Sequence, residues 1–305
     1  MRKPQNTELN GILNIYKKKG FTSHDVVAII RGVTGAKTGH TGTLDPNAEG
    51  VLPVCLGKAT RLSDYIMHSD KEYIADVILG IKTDTEDITG TVLAEQAVSL
   101  GINEINAAVS SFVGEYDQVP PMYSAIKING KKLYEIARTG AEVERKSRRV
   151  SLLALEILEY NLPGGFKLRV NCSSGAYVRS LCRDIGEKLG IPACMGELLR
   201  TRVGKYRLEN AYELDEIKQF AADGTLKDKL ILPQDALSEY PQVYIKPEFE
   251  KALINGNPLK EESVAGGFPE ESSKVLVFNS EGKLAGVYEV KSAGGSRALK
   301  AKTVL

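Results

Sequence analysis

Apolar positions recur along this chain at two periods, and together they predict a mixed α/β fold. Over Lys71–Leu79, Tyr73, Ala75, Val77 and Leu79 alternate with Ile74, Asp76 and Ile78, the period-two pattern of a strand with two distinct faces. Residues 11–16, 150–159 and 166–172 read the same way, and the unbroken apolar run 51–56, bounded by Gly50 and Gly57, reads as a buried strand. A helical period appears after Ser23, which offers an N-cap to a helix carrying Val26, Val27, Ile30 and Val33 on one face. Residues 59–67 and 103–112 read as further helices, and Gly175-Ala176-Tyr177-Val178-Arg179 leads into one that ends near Gly190. Strands and helices in irregular order, with several adjacent strand pairs, predict a mixed, largely antiparallel sheet rather than a doubly wound one. Pro233 and residues 239–241 mark a linker, after which 274–278, 279–282 and 283–288 read as strand, turn and strand. The expected organisation is a body over 1–239 and a small β-rich module over 240–305.

Composition narrows the class. With 305 residues, 42% of them hydrophobic and 26% charged, the chain fits a two-domain globular protein. No apolar run reaches the length of a membrane-spanning helix, and residues 1–10 are polar, unlike a signal peptide, so the cytoplasm is the expected compartment. Cys55, Cys172, Cys182 and Cys194 stand singly among apolar or small neighbours, which reads as reduced, buried thiols. With His24, His40 and His68 equally scattered, no metal site assembles from local spacing, and the pattern of a zinc-dependent base deaminase is missing.

A net charge of +1 argues by itself against a dedicated nucleic-acid binder. The distribution is more informative. From Lys127 to Arg149 there are eight basic side chains, Lys131, Lys132, Arg145 and Lys146 among them, against Glu135, Glu142 and Glu144, a surplus of five. Such a run is ordinarily a solvated face, and here it is also the best candidate for a surface that tracks phosphates. It belongs to an insertion over about 117–149 that starts at Val119-Pro120-Pro121, whose proline pair suggests a protruding element.

The candidate chemistry centres on Gly39-His40-Thr41-Gly42-Thr43-Leu44-Asp45-Pro46-Asn47-Ala48-Glu49-Gly50. Glycines admit positive φ and close approach of a ligand, and Pro46 biases Asp45 toward an extended or turn conformation. A carboxylate at the edge of a sheet, facing a pocket, is one reading; an Asx-turn in which Asp45 bonds only its own loop is the other. Gly35-Ala36-Lys37-Thr38 is not a phosphate-binding loop, because Ala36 occupies the glycine position.

The segment resembles the G-H-x-G-x-L-D-P signature of the TruB-type tRNA pseudouridine synthases, matching at Gly39, His40, Gly42, Leu44, Asp45 and Pro46, and beyond them at Gly50 and Leu52. The resemblance extends over most of the chain and implies the pseudouridine synthase fold with a PUA-like C-terminal domain. It implies isomerisation of the T-loop uridine of tRNA, uridine-55, with Asp45 as nucleophile. Gly175-Ala176-Tyr177-Val178-Arg179 is similar to the family's G-x-Y-[IV]-R element, which implies that Arg179 pairs with Asp45 and that Tyr177 lines the pocket. Lys71-Glu72-Tyr73 is similar to its K-x-Y element, implying that Tyr73 stacks on the base and offers a hydroxyl for the proton at C5. By the same resemblance His40 fills the gap left by the flipped base, Leu199 packs against uracil, and Pro121 to Lys127 starts a flexible RNA-clamping lobe. Lys17, Gly20, Thr22 and Ser23 match the first family element, in which Lys17 contacts substrate, but Lys18 stands where proline is usual.

Pseudouridine formation needs no redox, metal or energy cofactor, only a nucleophile, a stacking platform and a means of extracting the base. The implied partner is tRNA, through its T-loop and T-stem. The chain lacks the long Lys-rich tails of guide-RNA-dependent relatives, so a monomer without guide RNA or protein partner is expected. Two other readings stand beside this one: a tRNA-binding or tRNA-folding protein without catalysis, and an Asp-nucleophile hydrolase of a small metabolite. Joint retention of Asp45, Tyr73 and Arg179 disfavours the former. The basic insertion and the lack of an oxyanion constellation disfavour the latter.

Overall fold

The computed structural model describes residues 9–128, 130–141, 143–270, 273–293 and 296–305. Most of the polar N-terminus and Glu142 of the basic insertion therefore lie outside the described residues. The body opens with strand β1 (Gly11–Lys17), helix α1 (Ser23–Thr34), strand β2 (Thr38–His40) and strand β3 (Glu49–Leu56). Helix α2 (Ser63–Met67) leads to β4 (Lys71–Leu79), then to β5 (Ile81–Thr83) and β6 (Val92–Glu95), which pair with each other. Helix α3 (Ile102–Ser110) and β7 (Gly114–Gln118) precede the insertion, which contains β8 (Lys127–Ile128), β9 (Lys131–Lys132) and α4 (Leu133–Ala137). The chain returns as β10 (Arg148–Asn161) and β11 (Gly165–Cys172), followed by α5 (Val178–Leu189), β12 (Ala193–Val203), β13 (Tyr206–Arg207), α6 (Leu214–Ala222) and α7 (Pro233–Ala236).

The sheet of the body runs β1-β3-β12-β4-β11-β10-β7, with β2 and β13 paired at its side. Its pairs are antiparallel except β3 with β12, which run parallel through Leu199↔Glu49 and Arg200↔Gly50. The alternation read over β4 is real: Tyr73, Ala75, Val77 and Leu79 are buried against Ile105, Val109, Leu181 and Ile185 of α3 and α5. Val26, Ile30 and Ile217 of α1 and α6 close over Leu13, Ile15, Leu52 and Val54. Each such buried side chain contributes about 1.5–3 kcal/mol. The sheet is consequently a rigid floor, with loops at its edges.

Two local expectations need correction. The cap of α1 is Thr22, not Ser23: Thr22 Oγ1 accepts the Asp25 N–H at 3.1 Å while the Asp25 carboxylate accepts the Thr22 N–H at 2.8 Å. The segment 59–67 is not one helix but a 3-10 stretch, Gly57–Leu62, followed by α2. Helical pattern alone does not separate the two periods over so short a run.

The C-terminal part contains β14 (Gln242–Ile245), α8 (Glu250–Ile254), β15 (Leu259–Lys260), β16 (Val264–Ala265), β17 (Lys274–Phe278), β18 (Leu284–Ala293) and β19 (Ser296–Val304). They form a second sheet, ordered β15-β19-β18-β17-β14-β16, and the expected hairpin is β17 with β18. The stretch read as a linker is packed instead. Pro233 opens α7, Ala236 and Leu237 are buried, and Leu237 joins Leu62, Leu276, Phe278 and Val287 in a core shared by both parts.

Candidate active site

Residues 41–48 leave β2 and re-enter the sheet through β3, and three buried side chains hold this loop. Arg200, on β12, is fully enclosed; its Nε donates to Val51 O at 2.7 Å, and its terminal nitrogens lie 3.4 and 3.5 Å from the carbonyls of Gly42 and Thr43. Ser23, released from capping, donates to Leu44 O at 3.2 Å and accepts the Leu44 N–H at 2.9 Å. Gly50 has φ +109°, and a Cβ there would lie 2.1 Å from Arg200 O, so only glycine lets β3 and β12 pair at this point.

Lys17 is the third. Its Nζ donates to the carbonyls of Phe21, Lys18 and Pro46 at 2.7, 3.2 and 3.3 Å. The side chain is fully enclosed, and burial pulls its pKa down to about 8, with the Asp45 and Glu49 carboxylates pulling the other way. The expected contact of Lys17 with substrate is thus corrected: its donors are used on the protein, and it pins the 18–21 turn to the residue after Asp45. Lys18, in the usual proline position, is tied down by an ion pair with Glu213 at 2.7 Å.

With the loop fixed, the main-chain carbonyl of Asp45 closes a turn onto the Ala48 N–H at 3.0 Å, and the carboxylate faces Arg179. Arg179, in the first turn of α5, is 6% exposed, and its Nη2 lies 3.0 Å from Asp45 Oδ2. The same nitrogen donates to Tyr123 O at 2.9 Å, Nη1 donates to Thr85 O at 3.0 Å, and the Asp87 carboxylate stands 4.0 Å away. A planar guanidinium suits this arrangement, because its fork meets several acceptors without rotating. Asp45 is 41% exposed, so its carboxylate is held on one side and open on the other.

Tyr73 is buried on β4, cross-strand from Arg200 and Val170. Burial raises its phenol pKa, and the neighbouring Arg200 guanidinium opposes that rise. Tyr177 precedes α5, where Gln118 brackets its backbone: Nε2 donates to Tyr177 O at 3.0 Å and Oε1 accepts the Tyr177 N–H at 2.8 Å. Leu199 does not fit the expectation. It pairs with Ile74, on the face of the sheet opposite Tyr73, whereas its neighbour Leu198 pairs with Ala75 and packs on the Tyr73 side. Side chains alternate along a strand, so the apolar residue available to the site is Leu198.

His40 ends β2 with its ring edge-on to His24, centroids 5.4 Å apart. Its Nδ1 accepts the Gly42 N–H at 3.3 Å, which assigns the proton of the neutral ring to Nε2. Burial, then His24 and Arg200, lowers its pKa below the usual 6.5. In the insertion, Lys131 and Lys146 are exposed, and Lys132 Nζ reaches Tyr134 Oη at 3.2 Å. Arg145 differs from the others, donating to Pro120 O at 2.9 Å with Glu86 3.7 Å away, so it is anchored within the base of the insertion rather than offered to phosphate. That base is also less detached than expected: Gln118, Ser124 and Leu133 are buried.

The four cysteines are free and buried, and burial pushes the Cys55 and Cys172 thiols up to about 12. Among the described residues no three His, Cys, Asp or Glu side chains converge as a metal-holding group, and no helix is long and apolar enough to cross a membrane. Sequence reasoning missed Arg200 and the part played by Ser23. An arginine following two leucines, in a strand that starts with three buried residues, was the available signal for Arg200.

Residues 31–178 match the family described as TruB family pseudouridylate synthase (N terminal domain), and residues 179–238 match the tRNA pseudouridylate synthase B C-terminal domain. The chain belongs to the TruB pseudouridylate synthase family. The two matches meet between Val178 and Arg179, so the Asp45–Arg179 pair is drawn from both. TruB-family relatives include the tRNA pseudouridine synthase B of Alkaliphilus oremlandii, 47% identical over 82% of each chain. That of Clostridium tetani is 42% identical over 94% of this chain and 97% of its own. Among solved structures, the Cbf5-Nop10-Gar1 complex matches 97% of this chain and 85% of the other with a TM-score of 0.74 at 28% identity. An H/ACA RNP bound to a substrate RNA containing 2′-deoxyuridine matches over the same shares with a TM-score of 0.73 at 26% identity. The family matches span the mixed, largely antiparallel sheet from β2 onward, and the solved structures, covering 97% of the chain, extend the likeness to the β-rich C-terminal part.

Proposed function

We propose that this protein isomerises the T-loop uridine of tRNA, uridine-55, to pseudouridine, with Asp45 as nucleophile. The observation that carries the reading is the Asp45 carboxylate held 3.0 Å from an almost fully buried arginine, yet open toward solvent on its other side. In the reaction the N1–C1′ bond breaks, the uracil turns, C5 bonds to C1′, and the C5 proton leaves while N1 gains one. Atoms and charge balance without a co-reactant. Arg179 holds the carboxylate in a fixed orientation. Tyr73 and Leu198 supply the platform for the base; the raised phenol pKa of Tyr73 favours stacking over a phenolate role. His40, neutral at pH 7, is suited to occupy the stack the uridine leaves, which offsets an unstacking cost of a few kcal/mol.

Lys131, Lys132 and Lys146 of the insertion serve phosphates of the T-stem and T-loop, with Tyr177 lining the pocket. Residues 1–239 form the catalytic body and 240–305 a PUA-like RNA-docking module. The protein works as a cytoplasmic monomer on free tRNA, without guide RNA. The relatives named tRNA pseudouridine synthase B support the substrate, and the 94% span of one of them supports carrying the activity to the whole chain. Incubating the protein with an unmodified tRNA transcript and mapping pseudouridine tests the reading. Modification at the T-loop uridine by the wild type, and none by Asp45→Asn with tRNA binding retained, is expected. Turnover by Asp45→Asn would remove Asp45 from the chemistry.

A further inference from the structure

The acidic turn 84–87 lies against the back of the site, and Glu86 is its least ordinary residue. Among the described residues it is the single non-glycine with positive φ, at +64°. A residue with a Cβ persists in that region when its surroundings over-determine it. They do here. Glu86 is buried, its carbonyl accepts the Met195 N–H at 3.0 Å, and the Ile88 N–H returns to Met195 O at 2.8 Å, stitching the turn onto β12.

The carboxylate of Glu86 then gathers three side chains from two elements. Ser180 Oγ, next to Arg179 on α5, donates to it at 2.7 Å, and the Arg183 guanidinium of the same helix pairs with it. Arg145, at the returning end of the insertion, lies 3.7 Å away. Both arginines also grip the start of the insertion, Arg183 through Val119 O at 3.1 Å and Arg145 through Pro120 O at 2.9 Å. One residue before Glu86, the Thr85 carbonyl holds Arg179; one residue after, Asp87 faces it.

We propose that Glu86 is a positioning residue that transmits the seating of the insertion on RNA to the Arg179 guanidinium. The inference rests on the reading of Asp45 and Arg179 given above. RNA held by the exposed lysines loads both ends of the insertion, which meet at the Glu86 carboxylate. The rigid turn passes that position to Thr85 O and so to the nitrogen pair that aims Asp45. Glu86 touches no reacting atom, so its loss slows the chemical step and leaves the encounter with tRNA intact.

The test is single-turnover pseudouridine formation at saturating unmodified tRNA, with tRNA affinity measured alongside, for Glu86→Gln, Arg145→Met and the double variant. Glu86→Gln keeps the volume and an acceptor for Ser180 and removes the charge. Its affinity should stay within about twofold of wild type while its rate falls about tenfold or more, which a purely structural residue would not produce. Arg145→Met should slow the same step at saturation, and the double variant should be no more than about twofold slower than the slower single variant. A Glu86→Gln rate within about twofold of wild type, or effects that multiply in the double variant, overturns the proposal. Should Glu86→Gln not fold, Arg145→Met decides alone: a slower saturated rate supports the coupling, and weaker binding with an unchanged rate overturns it. A wild type that makes no pseudouridine would instead end the functional reading itself.

Discussion

Replacing Arg179 with lysine keeps a positive charge near Asp45 and removes the fork, which isolates what the guanidinium contributes by shape. Two nitrogens of one plane now reach Asp45 Oδ2, Tyr123 O and Thr85 O at 2.9 to 3.0 Å. A single ammonium on a flexible stem cannot reproduce that geometry. Carbonyls left without a donor in this buried place cost about 1–3 kcal/mol each in stability. Asp45, being 41% exposed, is rehydrated when its partner withdraws, so its loss registers in orientation rather than in folding. At 3.0 Å and an effective dielectric of about 20, the pair attraction is roughly 5 kcal/mol before desolvation, and an ammonium one to two ångströms further away forfeits about a third of it. With the added misalignment, about 2–4 kcal/mol of transition-state stabilisation should be lost, a rate reduction of about 30- to 1000-fold. Single-turnover release of tritium from tRNA labelled at C5 of uridine reads that rate, and filter binding reads affinity on the same sample. A lysine variant within about threefold of the wild-type rate would refute the idea that the guanidinium aims Asp45. A loss carried wholly by affinity would instead make Arg179 a substrate contact.

Three further outcomes are expected. His40→Ala should lose about 1–3 kcal/mol of binding or rate, less on a substrate whose target base is already unstacked. Because burial holds its pKa below 6.5, the wild type should show no pH dependence from this ring at neutral pH and above, with a change appearing only as His40 protonates on acidification; the alanine variant should lack that change. Neutralising Lys131, Lys132 and Lys146 together should reduce the log–log salt slope of tRNA binding by somewhat under about one unit per lost phosphate contact, and an unchanged slope would make these lysines a bystander face. Lys17→Met should lower the melting temperature more than it weakens tRNA binding. Since the folded-state pKa is about 8 against the ordinary 10.5, the unfolded chain binds more protons between those values, so wild-type stability should gain as pH rises across that window. The methionine variant, measured by thermal melts over the same range, should lack that share of the gain.

Much of this site is legible as sequence because its chemistry is local. The loop from Gly39 to Gly50 carries its own glycines, proline and acid, and Tyr73 sits on an alternation that names its face without ambiguity. What fails is information about register and neighbours. Leu198 and Leu199 are equivalent until the pairing of β12 with β4 decides which side each takes. Lys17 and Arg145 read as free charges because the carbonyls that consume them come from residues 18–46 and from Pro120. Arg200 was hidden for the same reason, since its partners lie some 150 positions earlier in the chain. In the sequence Glu86 is one of three acids in residues 84–87; only its φ and the convergence of Ser180, Arg183 and Arg145 on its carboxylate set it apart.

The parallel pairing of Arg200 with Gly50 has a consequence for how the protein is made. A ribosome delivers β1, α1 and the acid-bearing loop first, yet β12, which flanks β3 on its other side, and its Arg200, which fastens the loop, arrive only after about two-thirds of the chain has been synthesised. Contacts of such long sequence separation form late, because the intervening chain must close on itself before they reward it. A growing chain therefore carries Asp45 without a site around it, and the first 60 residues alone cannot grip a tRNA productively. Competence requires β12, which lies between β3 and β4 and joins the two sides of the sheet. Truncation before Val203 should accordingly leave not a weakened enzyme but an unfinished one.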